Sequence, residues 1–268
     1  MNFNYEVSCR EFLDLYHWFK RYVHFFYKDK EGHDRWVISL KYEHTLRVCK
    51  GIVSIARELG LETGQLFLAK TIGLFHDVGR FPQYEQYGTF RDSISENHAL
   101  LSVKVLKEHG VLDDFPAGAV DLILKSVEYH NIKRLPDDLP EELDFYSRLI
   151  RDADKLDVLH VLIGLYENPS GLNSTIELDL PDGDGYSLPI VEDILSCKIS
   201  DLSHMRCKND MKLMLLSWIF DINFSPTLKQ IRSKRYVERL ISFLPQDDTI
   251  RNLETHILGF IDSRLQTG

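Results

Sequence analysis

The stretch from Gln65 to His76 is apolar on nearly every side, and it runs directly into an aspartate, giving His76-Asp77. A helix that is apolar all round belongs at the centre of a domain rather than on its surface. An ionised Asp at the end of such a helix is costly unless a positive charge compensates it. A divalent cation is the natural compensation, with the adjacent imidazole as a further ligand. A chain built this way has to wrap other elements around the helix and bring other ligands to its end.

Candidate partners lie at helical positions elsewhere. From Tyr42 to Leu59, apolar residues at Leu46, Cys49, Val53, Ala56 and Leu59 follow a helical period, with His44 near the start and Gly60 as a stop. Ser93-Ile-Ser-Glu96 fits a capping box that opens a helix ending at Gly110, with His98 in its first turn. Pro116 suits the first turn of the next helix, which runs to about Tyr129 and places Ile123, Val127 and His130 on one face. A strong helix over 145–165 contains Arg151-Asp-Ala-Asp-Lys-Leu-Asp157. Asp154 there shares a stripe with Ile150, Val158 and Val161, an odd place for an unpaired carboxylate.

Each of these residues is a weak signal when taken alone, although His76 is harder to explain as structural because the helix around it needs no polar residue. His44 suits a hydrogen-bonded histidine beside a core, Asp77 a turn cap, and His98 the surface. A metal centre in the core of a helical bundle accounts for all of them together. Neutral imidazoles with carboxylates suit zinc, manganese, iron and similar ions. His109, His160, His204 and His256 lack this context and are structural or surface residues.

Between these helices, residues 81–95 form a long aromatic and polar segment directly after the doublet, expected to be a functional loop. Residues 135–142 read as a solvated connector. Residues 167–189 are rich in turn signals, and Ile176-Glu-Leu-Asp-Leu180 alternates, which predicts a small irregular or hairpin excursion. Helical patterning returns at Ile190 and is strongly apolar from Met211 to Phe220, while Lys229-Gln-Ile-Arg-Ser-Lys-Arg235 reads as the polar face of a helix. The expected fold is all-α: a single helical domain over 1–268, with its motif core at 40–165 and a helical extension at 190–268.

Composition narrows the function. A net charge of −9 and a pI near 5.7 argue against a nucleic-acid polymer as partner. They leave room for an anionic substrate, since a metal and a few local cations outweigh global charge. Cys9, Cys49, Cys197 and Cys207 form no C-x-x-C pair, so they read as free thiols in a reducing compartment. The N-terminus lacks a basic region followed by an apolar run, and no segment reaches ~18 uncharged apolar residues. A cytoplasmic protein without a membrane span is expected; oligomeric state is not legible.

The order His44, then His76-Asp77, then a distant Asp resembles the HD superfamily of metal-dependent phosphohydrolases. The resemblance covers roughly residues 40 to 165. Asp152, Asp154 and Asp157 all compete for the last position; the family's Ala-Asp-x-Leu pattern selects Asp154 in Ala-Asp-Lys-Leu156. His98 and His130 look like the extra histidines by which some members bind a second metal or contact phosphate. His-Asp-Val-Gly-Arg-Phe-Pro-Gln-Tyr, with the following Tyr-Gly-Thr-Phe and Asn-His-Ala, is similar to a bacterial subgroup of HD-domain hydrolases. No Gly-Tyr-Pro segment follows, which disfavours cyclic-dinucleotide phosphodiesterases of the kind that carry it.

The resemblance implies one or two divalent ions (Mn, Fe, Mg, Co, Ni or Zn). His44, His76, Asp77 and Asp154 would hold the first, with His98 and His130 available, together with Asp77, for a second. The expected activity is hydrolysis of a phosphate ester or anhydride in a nucleotide or another small phosphorylated metabolite. Asp77, His98, His130 and Arg80 are the catalytic candidates. Arg80 is the main candidate for phosphate, as a planar guanidinium suits bidentate contact, with Lys41, Arg47 and Lys155 as further cations. Tyr84 and Tyr87 are candidates for stacking on a base, although loop aromatics more often pack on their own domain. A di-iron oxygenase and a noncatalytic nucleotide-binding sensor are the competing readings.

Overall fold

The structure is a computed structural model that describes residues 3–169, 177–178 and 180–267. It is all-α: the described residues contain helices and turns and no strand. The alternating segment at 176–180 lies partly outside the described residues; Glu177 and Leu178 sit in a turn. Among the described residues, no helix is long and apolar enough to cross a membrane. The chain divides into two compact units, Met1–Asp154 and Lys155–Gly268.

The first unit is built from α1 (Cys9–Tyr27), α2 (Gly32–Glu58), α3 (Thr63–Phe75), α4 (Arg80–Tyr87), α5 (His98–Glu108), α6 (Ala117–Tyr129) and the first half of α7 (Glu141–Glu167). The apolar helix is α3, and it lies against α1, α2 and α6. Leu68, Ala69, Ile72, Leu74 and Phe75 are wholly buried, which explains why its sequence has no polar face. Residues 76–79 form a tight turn into α4. Ser102 on α5 locks this turn: its Oγ accepts from Gly79 N at 2.8 Å and donates to His76 O at 3.0 Å.

Two expectations need correction. The segment 81–95 is not loop throughout, because its first part continues α4; Pro82 sits in the first turn, where its missing N–H costs nothing. The helix carrying His98 is not opened by Ser93-Ile-Ser-Glu96. Residues Asp92–Ile94 form a short 3-10 turn, and Asn97 is the cap, its side chain accepting from Ala99 N and Leu100 N. An Asn cap satisfies the same orphan donors as a Ser cap, so the choice rested on where the turn ended.

The second unit contains the rest of α7, then α8 (Leu188–Leu195), α9 (Lys208–Ser217), α10 (Ser225–Ser233), α11 (Tyr236–Ile241) and α12 (Asp248–Thr267). Its core includes Leu213, Leu216, Leu228, Ile231, Leu240, Leu253 and Ile257, all fully buried.

The turn after α3 is held against α5 at van der Waals distance. A Cβ on Gly79 would lie 2.5 Å from Ser102 N and 2.6 Å from His98 O, both backbone atoms. Gly79→Ala should therefore destabilise the protein by about 1–3 kcal/mol through overpacking. Gly51, inside α2 with nothing within 4 Å of its would-be Cβ, is the control. Gly51→Ala should stabilise by about 0.5–1 kcal/mol. Urea midpoints moving in opposite directions for the two variants check this.

Candidate metal centre

Helices α3 and α6 end in the same way. His76 and His130 each occupy the first position past the helix, and each ring Nδ1 meets the carbonyl three residues back: Gly73 O at 2.8 Å and Val127 O at 2.6 Å. The last carbonyls of a helix have no intrahelical partner, so each imidazole satisfies one. A carbonyl oxygen only accepts, which assigns the ring proton to Nδ1 and leaves the Nε2 lone pair aimed away from the histidine's own helix. The buried Arg151 guanidinium on α7 donates to Tyr129 O at 3.3 Å and His130 O at 3.4 Å, fixing the end of α6 from the other side.

Four imidazoles and one carboxylate converge here. His44 Nε2, from the middle of α2, lies 3.2 Å from His76 Nε2. His98 Nε2, from the first residue of α5, lies 3.0 Å from His130 Nε2. Asp77 stands between the pairs. Its Oδ2 is 3.6 Å from His44 Nε2 and 3.7 Å from His76 Nε2; its Oδ1 is 3.5 Å from His98 Nε2 and 3.8 Å from His130 Nε2. The result is two buried donor groups, His44/His76/Asp77 and Asp77/His98/His130, joined by one carboxylate. Asp154 Oδ1 approaches the first group, 3.2 Å from His44 and 3.8 Å from His76, with its side chain a quarter exposed.

This donor set fits a cation. His98 Nδ1 faces Asp92 Oδ2 at 2.6 Å, and a carboxylate accepts as a carbonyl does. In the neutral rings, His98 and His130 direct their Nε2 lone pairs into the same space, 3.0 Å apart, with Arg80 Nη2 at 3.3 Å from His98 Nε2, so the pair forms an electron-rich pocket that suits a cation. Burial opposes ionisation of Asp77, yet Lys41, His76, Arg80 and His98 together hold it well below the usual carboxylate range. Lys41 and Arg80 carry the standing charge there, Lys41 Nζ at 2.8 Å from Oδ2 and Arg80 Nε at 3.5 Å from Oδ1. Burial lowers His76, His98 and His130, the last to about 3, so these rings stay neutral and keep their lone pairs.

The structure thus brings together His44, His76, Asp77, His98, His130, Asp154 and Lys41, and it treats the other expected residues differently. Arg80 is not at an open mouth. Its Nη1 donates to Gln83 Oε1, Phe90 O and Asp92 Oδ1, which holds the segment between α4 and α5, while its Nη2 lies 3.3 Å from His98 Nε2. Lys155 Nζ pairs with Asp221 at 2.7 Å; it and Asp154 are adjacent on a helix, where neighbouring side chains diverge. Arg47 lies 3.7 Å from Glu43, one turn back on α2. Tyr84 is buried and donates to Asp34 at 2.8 Å, and Tyr87 donates to Glu96 at 2.7 Å, so neither hydroxyl is left for a ligand. Asp92 and Asn131 had not been singled out. An acid in an aperiodic loop has no pattern to reveal it; nearness to His98 and His130 in the chain was the available cue.

The buried neutral histidines set a pH dependence. Each binds a proton less readily in the folded chain than at its ordinary value of 6.5. The unfolded chain therefore takes up more protons below that value, and stability falls as pH falls. The metal-free protein should lose stability from about pH 6.5 downward, at up to about 1.4 kcal/mol per pH unit for each such histidine. His130→Gln should make the slope of the urea midpoint against pH between 6.5 and 4.5 shallower. A midpoint independent of pH in the parent protein would contradict the assignment.

No curated protein and no solved structure matches this chain significantly. Residues 42–159 match the family model described as HD domain, a span that holds every residue of the two donor groups as well as Asp154. HD-domain proteins are generally metal-dependent hydrolases. The all-α fold and the buried His/Asp cluster agree with that match, so residues 42–159 are similar to the HD domain.

Proposed function

We propose that the protein is a metal-dependent hydrolase of a phosphate ester or anhydride, acting on a nucleotide or another small phosphorylated metabolite. The observation that carries this reading is the shared carboxylate: Asp77 offers one oxygen to each of two buried imidazole pairs. His44, His76, Asp77 and Asp154 would hold one divalent ion, and Asp77, His98 and His130 a second. A bound divalent ion neutralises phosphate charge and makes water acidic enough to act as a nucleophile near neutral pH.

The chain's own residues supply the rest. His76 and His130, tied through Nδ1 to backbone carbonyls, cannot rotate their donors out of the site without breaking a buried hydrogen bond. Lys41 is the cation best placed for a substrate oxygen: its side chain is a fifth exposed and its Nζ sits beside Asp77. Its three donors suit a tetrahedral anion that has to enter and leave. Arg80 lends positive potential from 3.5 Å behind Asp77 Oδ1 while staying bound to the protein. The paired donor groups also suit two irons, the setting of an oxygenase. Iron content together with substrate-dependent oxygen uptake separates that chemistry from hydrolysis.

A screen of metal-stripped protein resupplied singly with Mn²⁺, Mg²⁺, Co²⁺, Ni²⁺ or Fe²⁺, over nucleotides, sugar phosphates and an aryl phosphate, tests the proposal. Phosphate release should require metal and fall to background in Asp77→Ala. Lys41→Ala should keep its metal and lose about 10- to 100-fold in kcat/KM, the worth of one hydrogen bond to a charged group. Metal-loaded protein that releases no phosphate from any of these substrates would count against hydrolysis.

A further inference from the structure

Asp92 lies in the 3-10 turn between α4 and α5, outside both donor groups, yet four polar side chains meet on it: Arg80, Gln83, His98 and Asn131. Arg80 Nη1 and Gln83 Nε2 each donate to Oδ1 at 2.9 Å. His98 Nδ1 meets Oδ2 at 2.6 Å, and Asn131 Nδ2 donates to the same oxygen at 3.0 Å. Gln83 is wholly buried and its own amide is fixed: Oε1 accepts from Arg80, while Nε2 also donates to Ser95 Oγ and Glu96 O. The two oxygens of Asp92 are therefore held apart by donors on opposite sides.

Closing the α4–α5 segment needs only the Oδ1 side, where Arg80 and Gln83 already join it to α4. The Oδ2 side does something else. An anion at Nδ1 requires a proton there, so the other ring nitrogen keeps its lone pair, which faces Asp77 Oδ1 at 3.5 Å, His130 Nε2 at 3.0 Å and the donor Arg80 Nη2 at 3.3 Å. Water in the same place would leave the ring free to carry its proton on either nitrogen, because water donates as well as accepts. His76 and His130 have their tautomers set by carbonyls of their own helices; His98, at the start of a helix, has no such carbonyl within its own turn. Asp92 fills that role from outside.

We propose that Asp92 is a positioning residue: it fixes His98 as the Nδ1–H tautomer, so that Asp77, His98 and His130 form a preorganised donor set for a divalent cation. This rests on the metal-hydrolase reading above for its purpose, though the tautomer itself is a property of the metal-free chain. Asn131, next to His130, ties the same carboxylate to the end of α6, so one residue sets the angle between the two imidazoles.

Asp92→Asn is the informative substitution. The donors of Arg80 and Gln83 hold the amide oxygen on their side, which turns the new NH₂ toward His98. The ring then has to accept at Nδ1 and carry its proton on Nε2, facing the site. Long-range proton–nitrogen correlation spectra of ¹⁵N-histidine-labelled, metal-free full-length protein read this directly, with His98→Gln assigning the signal. The wild type should show His98 as Nδ1–H and Asp92→Asn as Nε2–H, with His76 and His130 unchanged. Asp92→Glu, which keeps an anion, should restore the Nδ1–H form. Titration with Mn²⁺ should show one of two binding steps weakened about 10- to 100-fold in Asp92→Asn, the usual effect of losing such a partner. A wild-type His98 already carrying its proton on Nε2 overturns the proposal, and that measurement decides it even if the variant does not fold. Unchanged tautomer and unchanged Mn²⁺ binding in a folded Asp92→Asn also overturn it. Absence of phosphate release alongside the expected tautomers would instead count against hydrolysis and leave the positioning role standing.

Discussion

A single buried carboxylate organises the first unit. Asp77 is almost wholly removed from water, and burial alone would make its charge unaffordable. The chain answers by surrounding it with Lys41, Arg80 and four imidazoles contributed by α2, the ends of α3 and α6, and the start of α5. Those contributions dictate how the helices meet. The apolar helix α3 has to be central because the doublet at its end must be reached from several sides, and Gly79 has to be glycine because α5 touches the turn that carries Asp77.

The precision of the site comes from ordinary helix chemistry. Helices end with unpaired carbonyls, and the two histidines that follow α3 and α6 use them as anchors. A requirement of secondary structure thus becomes the device that aims two donor atoms. The two imidazoles that cannot use this device are held otherwise: His44 stands in mid-helix with Asp154 beside it, and His98 at a helix start with Asp92 beside it. Outer contacts of this kind decide orientation as much as the donors themselves do.

What was legible in the sequence follows the same division. A polar residue on an apolar helical stripe stands out, which singled out His130 and Asp154, and the doublet stood out as the end of an all-apolar helix; choosing Asp154 over Asp152 and Asp157 took the family's Ala-Asp-x-Leu pattern. The all-α fold followed from the same pattern. Long side chains obey no such rule. Arg80 and Lys155 sit next to site residues in the chain, but their end groups find Asp92 and Asp221, partners chosen by tertiary geometry that spacing does not encode. Asp92 was invisible for a related reason: its neighbours Arg80, Gln83, His98 and Asn131 come from three separate places in the chain. The capping residue of α5 was missed because Ser93 and Asn97 offer equivalent chemistry four residues apart.

Metal stoichiometry tests the central claim most directly. Metal-stripped protein equilibrated with Mn²⁺, freed of excess ion and assayed for metal per chain, should hold two ions, and Asp77→Ala should hold fewer than one, because both donor groups lose their common oxygen ligand. Two ions retained by Asp77→Ala, or none held by the parent chain, would contradict the account in which this carboxylate joins two cation sites.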